Sequence, residues 1–337
     1  MPAKKVSAEG EPALPVARST ISSPSKLRLR ARNLRIVSLL PSATEIAYAL
    51  GLGDDVAAVT DGCDHPADAR TKPVVSRSRL TLDAGASAGD VDGAVREAVK
   101  DGEPLYAIDA ELIRSIDPDL ILTQDLCRVC AVPTGQVTDA LDMLGCQADV
   151  VSLDPTTVDD VLDDIVRVGE RTGTGDRAGA VVDGLRRRLA AVDERARNLE
   201  PVPTFPLEWL DPPFSGGHWV PELVARAAGT PVLCEPGRPS APLHWSDVAA
   251  AEPEVVVFMP CGYDLAAATE EAQGLAAVPE LRGTPAWQND RVWAVDATSY
   301  FSRPGPRLVD GLELLAWVLH PAAFPPPPAG RVAAVSV

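Results

Sequence analysis

Between residues 155 and 200 the sequence carries no strand signal, while on both sides of that stretch short apolar runs alternate with helical periodicity. Val158, Val161, Leu162, Ile165, Val166 and Val168, then Val181, Val182, Leu185, Leu189 and Val192, recur at helical spacing, interrupted only at Gly173 and Gly175. A helical stretch of this length, at 1.5 Å per residue, spans one lobe and reaches a second. Before it, Ile36–Leu40, Val56–Thr60, Leu120–Thr123 and Ala148–Leu153 read as buried strands, with helices after Pro41, over Asp109–Ile116 and over Pro133–Leu144. After it, strands are expected at Thr204–Trp209, Glu254–Met259 and Arg291–Val295, with helices over Val220–Ala228 and Arg307–Leu319. Alternation of this kind means mainly parallel sheets covered by helices. The expected fold is therefore α/β: two Rossmann-like lobes joined by a long backbone helix, with a ligand cleft between them. The boundaries read as a disordered basic tail over 1–34, an N-terminal lobe over 35–154, the connecting helix over 155–200, a C-terminal lobe over 201–320 and a loose Pro-rich tail over 321–337.

One internal correspondence links the two halves. Ile116–Thr123 (IDPDLILT) and Ala250–Met259 (AAEPEVVVFM) each run from a helix through an acidic-Pro-acidic triplet into an apolar strand. Each strand then enters a cysteine-bearing loop, Gln124–Cys130 or Pro260–Asp264. Open parallel sheets bind ligands beyond the carboxyl ends of their strands, so these loops are expected to face one another across the cleft.

Charge and composition exclude several classes. With 48 acidic against 31 basic side chains the net charge is −17, the wrong sign for displacing counterions from nucleic acid. No apolar run approaches the roughly 20 residues of a membrane span. The first 35 residues lack the apolar core of a secretory signal, so a cytoplasmic location is expected, with an extracytoplasmic one only if the start is misassigned. Enzyme signatures are missing: there is no GxSxG, Walker loop or HExxH, and Gly173-x-Gly175 lies in helical sequence rather than after a strand.

Val37-Ser38-Leu39-Leu40-Pro41-Ser42-Ala43-Thr44-Glu45, followed by Ala49-Leu50-Gly51, resembles the opening of the cobalamin and ferric-siderophore class of ABC-transporter solute-binding proteins, the helical-backbone metal receptors. Asp117–Leu122 and Arg303-Pro304-Gly305-Pro306-Arg307 resemble the same class, over about residues 35–320. The resemblance implies a single rigid helix between lobes and little hinge motion. It also implies a small-molecule metal chelate as ligand, whether corrinoid, haem, siderophore or other chelated metal, of which a corrinoid such as cobalamin is the one expected here, and an ABC permease as partner. The receptor is expected to be monomeric and without catalytic residues.

Three constellations are candidates for the site. Cys127-Arg128-Val129-Cys130 has the CxxC spacing of a metal site or a redox dithiol, and Cys63 and Cys261 also follow strands. Convergence of Cys63, Cys127, Cys130 and Cys261 on zinc or an iron–sulfur cluster is the alternative reading, that of a cytoplasmic metalloprotein. Cys146 and Cys234 read as small buried hydrophobes. Second, Trp209, Phe214 and Trp219 gather in one loop with Gly216, Gly217 and His218, an apolar wall of the kind a flat ligand favours. Third, Tyr300, Phe301 and Arg303 precede the last helix, where Arg303 or Arg307 is placed to hold an anionic group, as are Arg77 and Arg79 elsewhere.

Overall fold

The computed structural model describes residues 34–80, 88–100, 105–125, 135–137 and 147–336. Six strands form the first sheet: β1 (Ile36–Ser38), β2 (Val56–Thr60), β3 (Val74–Ser78), β4 (Tyr106–Ile108), β5 (Leu120–Thr123) and β6 (Asp149–Ser152). Their spatial order is β4-β3-β2-β1-β5-β6, parallel throughout except where β4 runs against β3. The second sheet contains β7 (Val202–Trp209), β8 (Phe214–Ser215), β9 (Gly229–Pro231), β10 (Val255–Phe258), β11 (Val292–Val295) and β12 (Val332–Ala334). Its order is β12-β11-β10-β7-β8, with β9 beside β7; β8 and β12 are antiparallel to their neighbours. The central strands β1, β5 and β10 are buried along their whole length, which is why they read as continuous apolar runs rather than alternating ones.

The two acidic-Pro-acidic triplets have the same backbone. Asp117 and Glu252 both adopt left-handed conformations, with φ of 50° and 48°, just after a helix. Asp119 then donates its amide to the Arg35 carbonyl at the foot of β1, and Glu254 donates to the Pro203 carbonyl within β7. Each triplet thus ends a helix and sets the register of the strand after it against the central strand of its sheet.

Three sequence expectations differ from the structure. The 155–200 stretch is two helices, Val158–Thr172 and Gly175–Ala196, not one. Gly173 closes the first at φ 73°, a conformation glycine adopts without steric cost, and the chain reverses onto itself. A Cβ at Gly169 would lie 2.5 Å from that of Ala178, so the two helices meet where only glycine fits. Residues 321–337, expected to be loose, are docked through residue 336: β12 pairs with β11, and Phe324 and Val335 are buried. Ser42 and Glu45, whose S-x-x-E spacing predicts a capping box, do not cap their helix; Leu40 occupies the N-cap without a side-chain bond, and the Glu45 carboxylate turns elsewhere.

One apolar core runs through both halves. Ile36, Leu40 and Ile46 from the first sheet's side join Ile165, Val182 and Leu189 from the helical pair, and Val224, Leu308, Leu312 and Leu315 from the second side, in a single buried cluster. The 22-residue Gly175–Ala196 helix, about 33 Å long, is tied to the final helix, Leu308–Leu319, by Arg188, which bridges Asp310 and Glu313.

Candidate functional site

Between the two sides of the fold lies a buried ion cluster. Glu45, in the first turns of the Pro41–Ala49 helix, is 3% exposed along its side chain and receives two arginines from the opposite side. Arg307 forks onto it, Nε to Oε2 at 2.9 Å and Nη2 to Oε1 at 2.5 Å. Arg303 reaches Oε1 at 3.3 Å, Asp64 Oδ1 at 2.5 Å and the Gly62 carbonyl at 3.0 Å. Burial alone would raise the Asp64 pKa, but the Arg303 bond and the charges of Arg303, Arg307 and Arg70 hold it below the ordinary value. Burial and the Arg307 charge keep the neighbouring His65 below its ordinary value, and so biased to the neutral form. Tyr300 lies beside the cluster between two guanidinium groups, Arg331 at 4.7 Å and Arg307 at 5.8 Å from its ring centre. Arg303, expected to hold a ligand, is thus already engaged by two carboxylates.

The aromatic loop divides into two parts. Trp209, half-buried at the end of β7, stands edge-on to Tyr263 after β10, with centroids 5.7 Å apart and planes at 83°. Phe214 pairs with Trp209 across β7 and β8. Trp219 instead is 6% exposed, sits in the shared core, and gives its indole N–H to the Phe301 carbonyl at 2.8 Å. Phe301 is buried with it. Gly217 serves close approach of backbone to backbone, since a Cβ there would lie 2.3 Å from the Ser240 nitrogen, and a Cβ at Gly216 would meet the Val220 and Pro206 side chains at 2.7 and 2.8 Å. His218 has a left-handed backbone, φ 50°, pinned by its own N–H to the Arg238 carbonyl and by the Gly237 N–H to its carbonyl. Its ring lies tilted against Trp219 at 5.6 Å, and burial lowers its pKa, favouring the neutral imidazole.

The thiolate proposal finds no support among the described residues. Cys63 is a core residue whose Sγ lies 3.1 Å from the Thr44 hydroxyl, and burial pushes its pKa up to about 11, so it is a neutral thiol. Cys261 is exposed on its loop. No group of three or more His, Cys, Asp or Glu is arranged to hold a metal ion among the described residues. Cys127 and Cys130 lie outside them, as does Cys146. Burial likewise raises the Cys234 pKa to about 12.

Sequence reasoning missed Glu45, Asp64 and Tyr263. Glu45 was masked by its capping-box spacing, and the ion pairs join residues 258 and 262 positions apart, which no local pattern reveals. Tyr263 had a usable signal, since it sits in the Pro260–Asp264 loop already expected to face the cleft.

Comparison with known proteins places these features in context. A family model described as periplasmic binding protein matches residues 36–298. The vitamin B12-binding protein of Vibrio cholerae serotype O1 is 25% identical over 286 residues, covering 83% of this chain and 86% of that protein. The crystal structure of the periplasmic vitamin B12 binding protein of Vibrio cholerae superposes with a TM-score of 0.61 at 24% identity, over 85% of this chain and 96% of that one. A periplasmic heme binding protein from Pseudomonas aeruginosa reaches a TM-score of 0.67 at 20% identity, over 90% and 99%. At such identities the structural matches speak for the fold. The expected cytoplasmic location is overturned by these matches, since the family and the solved neighbours are periplasmic. The zinc or iron–sulfur alternative gains nothing from them.

Proposed function

The chain belongs to the periplasmic binding protein family, a class of solute-binding proteins and not of enzymes, and from that premise we propose that it binds a corrinoid, most simply cobalamin, in the crevice between its two sheets. A small-molecule ligand and an ABC permease as partner come with the family. The corrinoid is the finer reading. Its central observation is the Trp209–Tyr263 pair, which presents half-buried aromatic surface at the carboxyl ends of β7 and β10. A corrin ring is broad, flat and edged by amides. Burial of its faces against such a wall contributes roughly 25 cal/mol per Å² of apolar surface removed from water. The vitamin B12-binding proteins among the relatives support this choice over other flat chelates.

Trp209, Phe214 and Tyr300 would form the contact surface, with His218 as a neutral imidazole near the wall. Gly216, Gly217, Trp219 and Phe301 would hold that surface in shape rather than touch the ligand. The ion cluster of Glu45, Asp64, Arg303 and Arg307 fixes the spacing of the two sides, leaving the arginines satisfied before any ligand arrives. The bound corrinoid is then passed to the permease outside the cytoplasmic membrane. Calorimetric titration of cyanocobalamin into the purified chain tests the reading: a saturable single site supports it, and saturation by haemin with no uptake of cyanocobalamin overturns it.

A further inference from the structure

Two features bear on how a ligand enters. The shared core and the buried Glu45 cluster join the two sides into one body. Hinged opening would pull Glu45 from both arginines and expose packed apolar surface, and both are unfavourable. Access is therefore left to a local element.

The Ala88–Lys100 helix lies in sequence between β3 and β4 and so belongs to the first sheet. Yet its first residue is hydrogen-bonded to the other side. Ala88, 2% exposed, is the one buried residue described on this helix. Its carbonyl accepts the Trp209 indole N–H at 3.1 Å, and its amide donates to Glu271 Oε1 at 3.4 Å. Asp90, Gly93, Arg96, Glu97 and Lys100 face solvent. The same indole that forms the proposed ligand wall is thus bonded to the end of a thinly packed helix from the opposite side.

We propose that the Ala88–Lys100 helix is a lid over the crevice, latched by Trp209 and Glu271, which must leave Trp209 before a flat ligand reaches that indole. Elements with little buried surface open at low free energy, so loss of either latch bond speeds the opening. The proposal rests on the corrinoid reading only for its ligand arm, and its first test needs no ligand.

Hydrogen–deuterium exchange of residues 88–100 in the ligand-free chain is compared for the parent, Glu271→Ala and Glu271→Gln. Loss of one hydrogen bond is expected to speed exchange about three- to tenfold in Glu271→Ala, whereas Glu271→Gln, which keeps an acceptor, stays near the parent. Thermal stability should be the same in all three. In stopped flow, cyanocobalamin should associate faster with Glu271→Ala by a similar factor. Equal exchange across residues 88–100 in all three proteins overturns the lid, whatever the ligand does. Faster exchange with no cyanocobalamin binding sustains the lid and removes the corrinoid reading instead.

Discussion

Arg307 donates both Nε and Nη2 to the two carboxylate oxygens of Glu45, at 2.9 and 2.5 Å, across 262 residues of sequence and from one sheet's side to the other. This fork, with Arg303 on the same carboxylate, joins the two sides of the fold into one body. A bidentate pair of this kind is directional, so it fixes orientation as well as distance.

Glu45→Ala leaves Arg307 buried without its carboxylate and Arg303 with the Asp64 carboxylate alone. Breaking a buried pair from one side costs about 3–5 kcal/mol, so urea denaturation should show a loss of that order. A loss below about 1 kcal/mol would show that the cluster is solvated and does not hold the two sides together.

The connecting stretch shows what sequence pattern could and could not reveal. Periodicity at Val158–Val192 identified helix correctly, but two glycines two residues apart did not say whether the helix bends or reverses; the left-handed backbone of Gly173 decides that. The duplicated triplets at 117–119 and 252–254 were legible because each combines a helix end, a proline and a strand start in five residues. Short strands such as Val74–Ser78, with Arg77 and Ser78 exposed, carried too little apolar signal to be seen. At the site, Trp209 and Trp219 looked equivalent in sequence, ten residues apart. Their difference arises from Phe301 and Ala88, distant residues that take one indole into the core and the other to the rim.

The two indoles should therefore respond differently to substitution. Trp219→Phe leaves the buried Phe301 carbonyl without its donor and should cost about 1–3 kcal/mol of stability, read from denaturant midpoints. Trp209→Ala should leave stability within about 1 kcal/mol of the parent while weakening cyanocobalamin binding roughly tenfold or more. The reverse assignment of effects would place the ligand wall elsewhere.

Asp164 makes the stability depend on pH. Its Oδ1 takes Arg167 at 2.6 Å, but its Oδ2 is buried with no hydrogen-bond partner among the described residues. Burial, with the charges of Asp154, Asp160 and Asp163 added and that of Arg167 opposing, raises its pKa to about 7. Unfolded, it titrates near 3.9. Between about pH 4 and 7 the folded chain keeps a proton that the unfolded chain has lost, so this group's contribution to stability falls as pH rises through that window. Asp164→Asn should remove that part of the slope and be the more stable protein at pH 8. Parallel pH profiles for the two proteins would contradict the assignment. Asp64, with its pKa lowered, acts with the opposite sign: its contribution is present above about pH 4 and is lost on further acidification.

Gly217→Ala should disturb the fold near the wall. The added methyl would meet the Ser240 backbone at 2.3 Å, and backbone cannot give way as the end of a flexible side chain can. A fall of several degrees in Tm, about 1–3 kcal/mol, is expected, with a smaller effect for Gly237→Asn, where the surroundings are open and asparagine tolerates the left-handed backbone at φ 75°.

Direct titration of the purified chain with cyanocobalamin, with haemin as the parallel arm, tests the corrinoid reading most directly. The account expects one site per chain with a Kd at or below about 1 μM, near −8 kcal/mol, and weaker binding in Trp209→Ala. No uptake of cyanocobalamin at roughly 100 μM, alongside saturable binding of haemin, would contradict it.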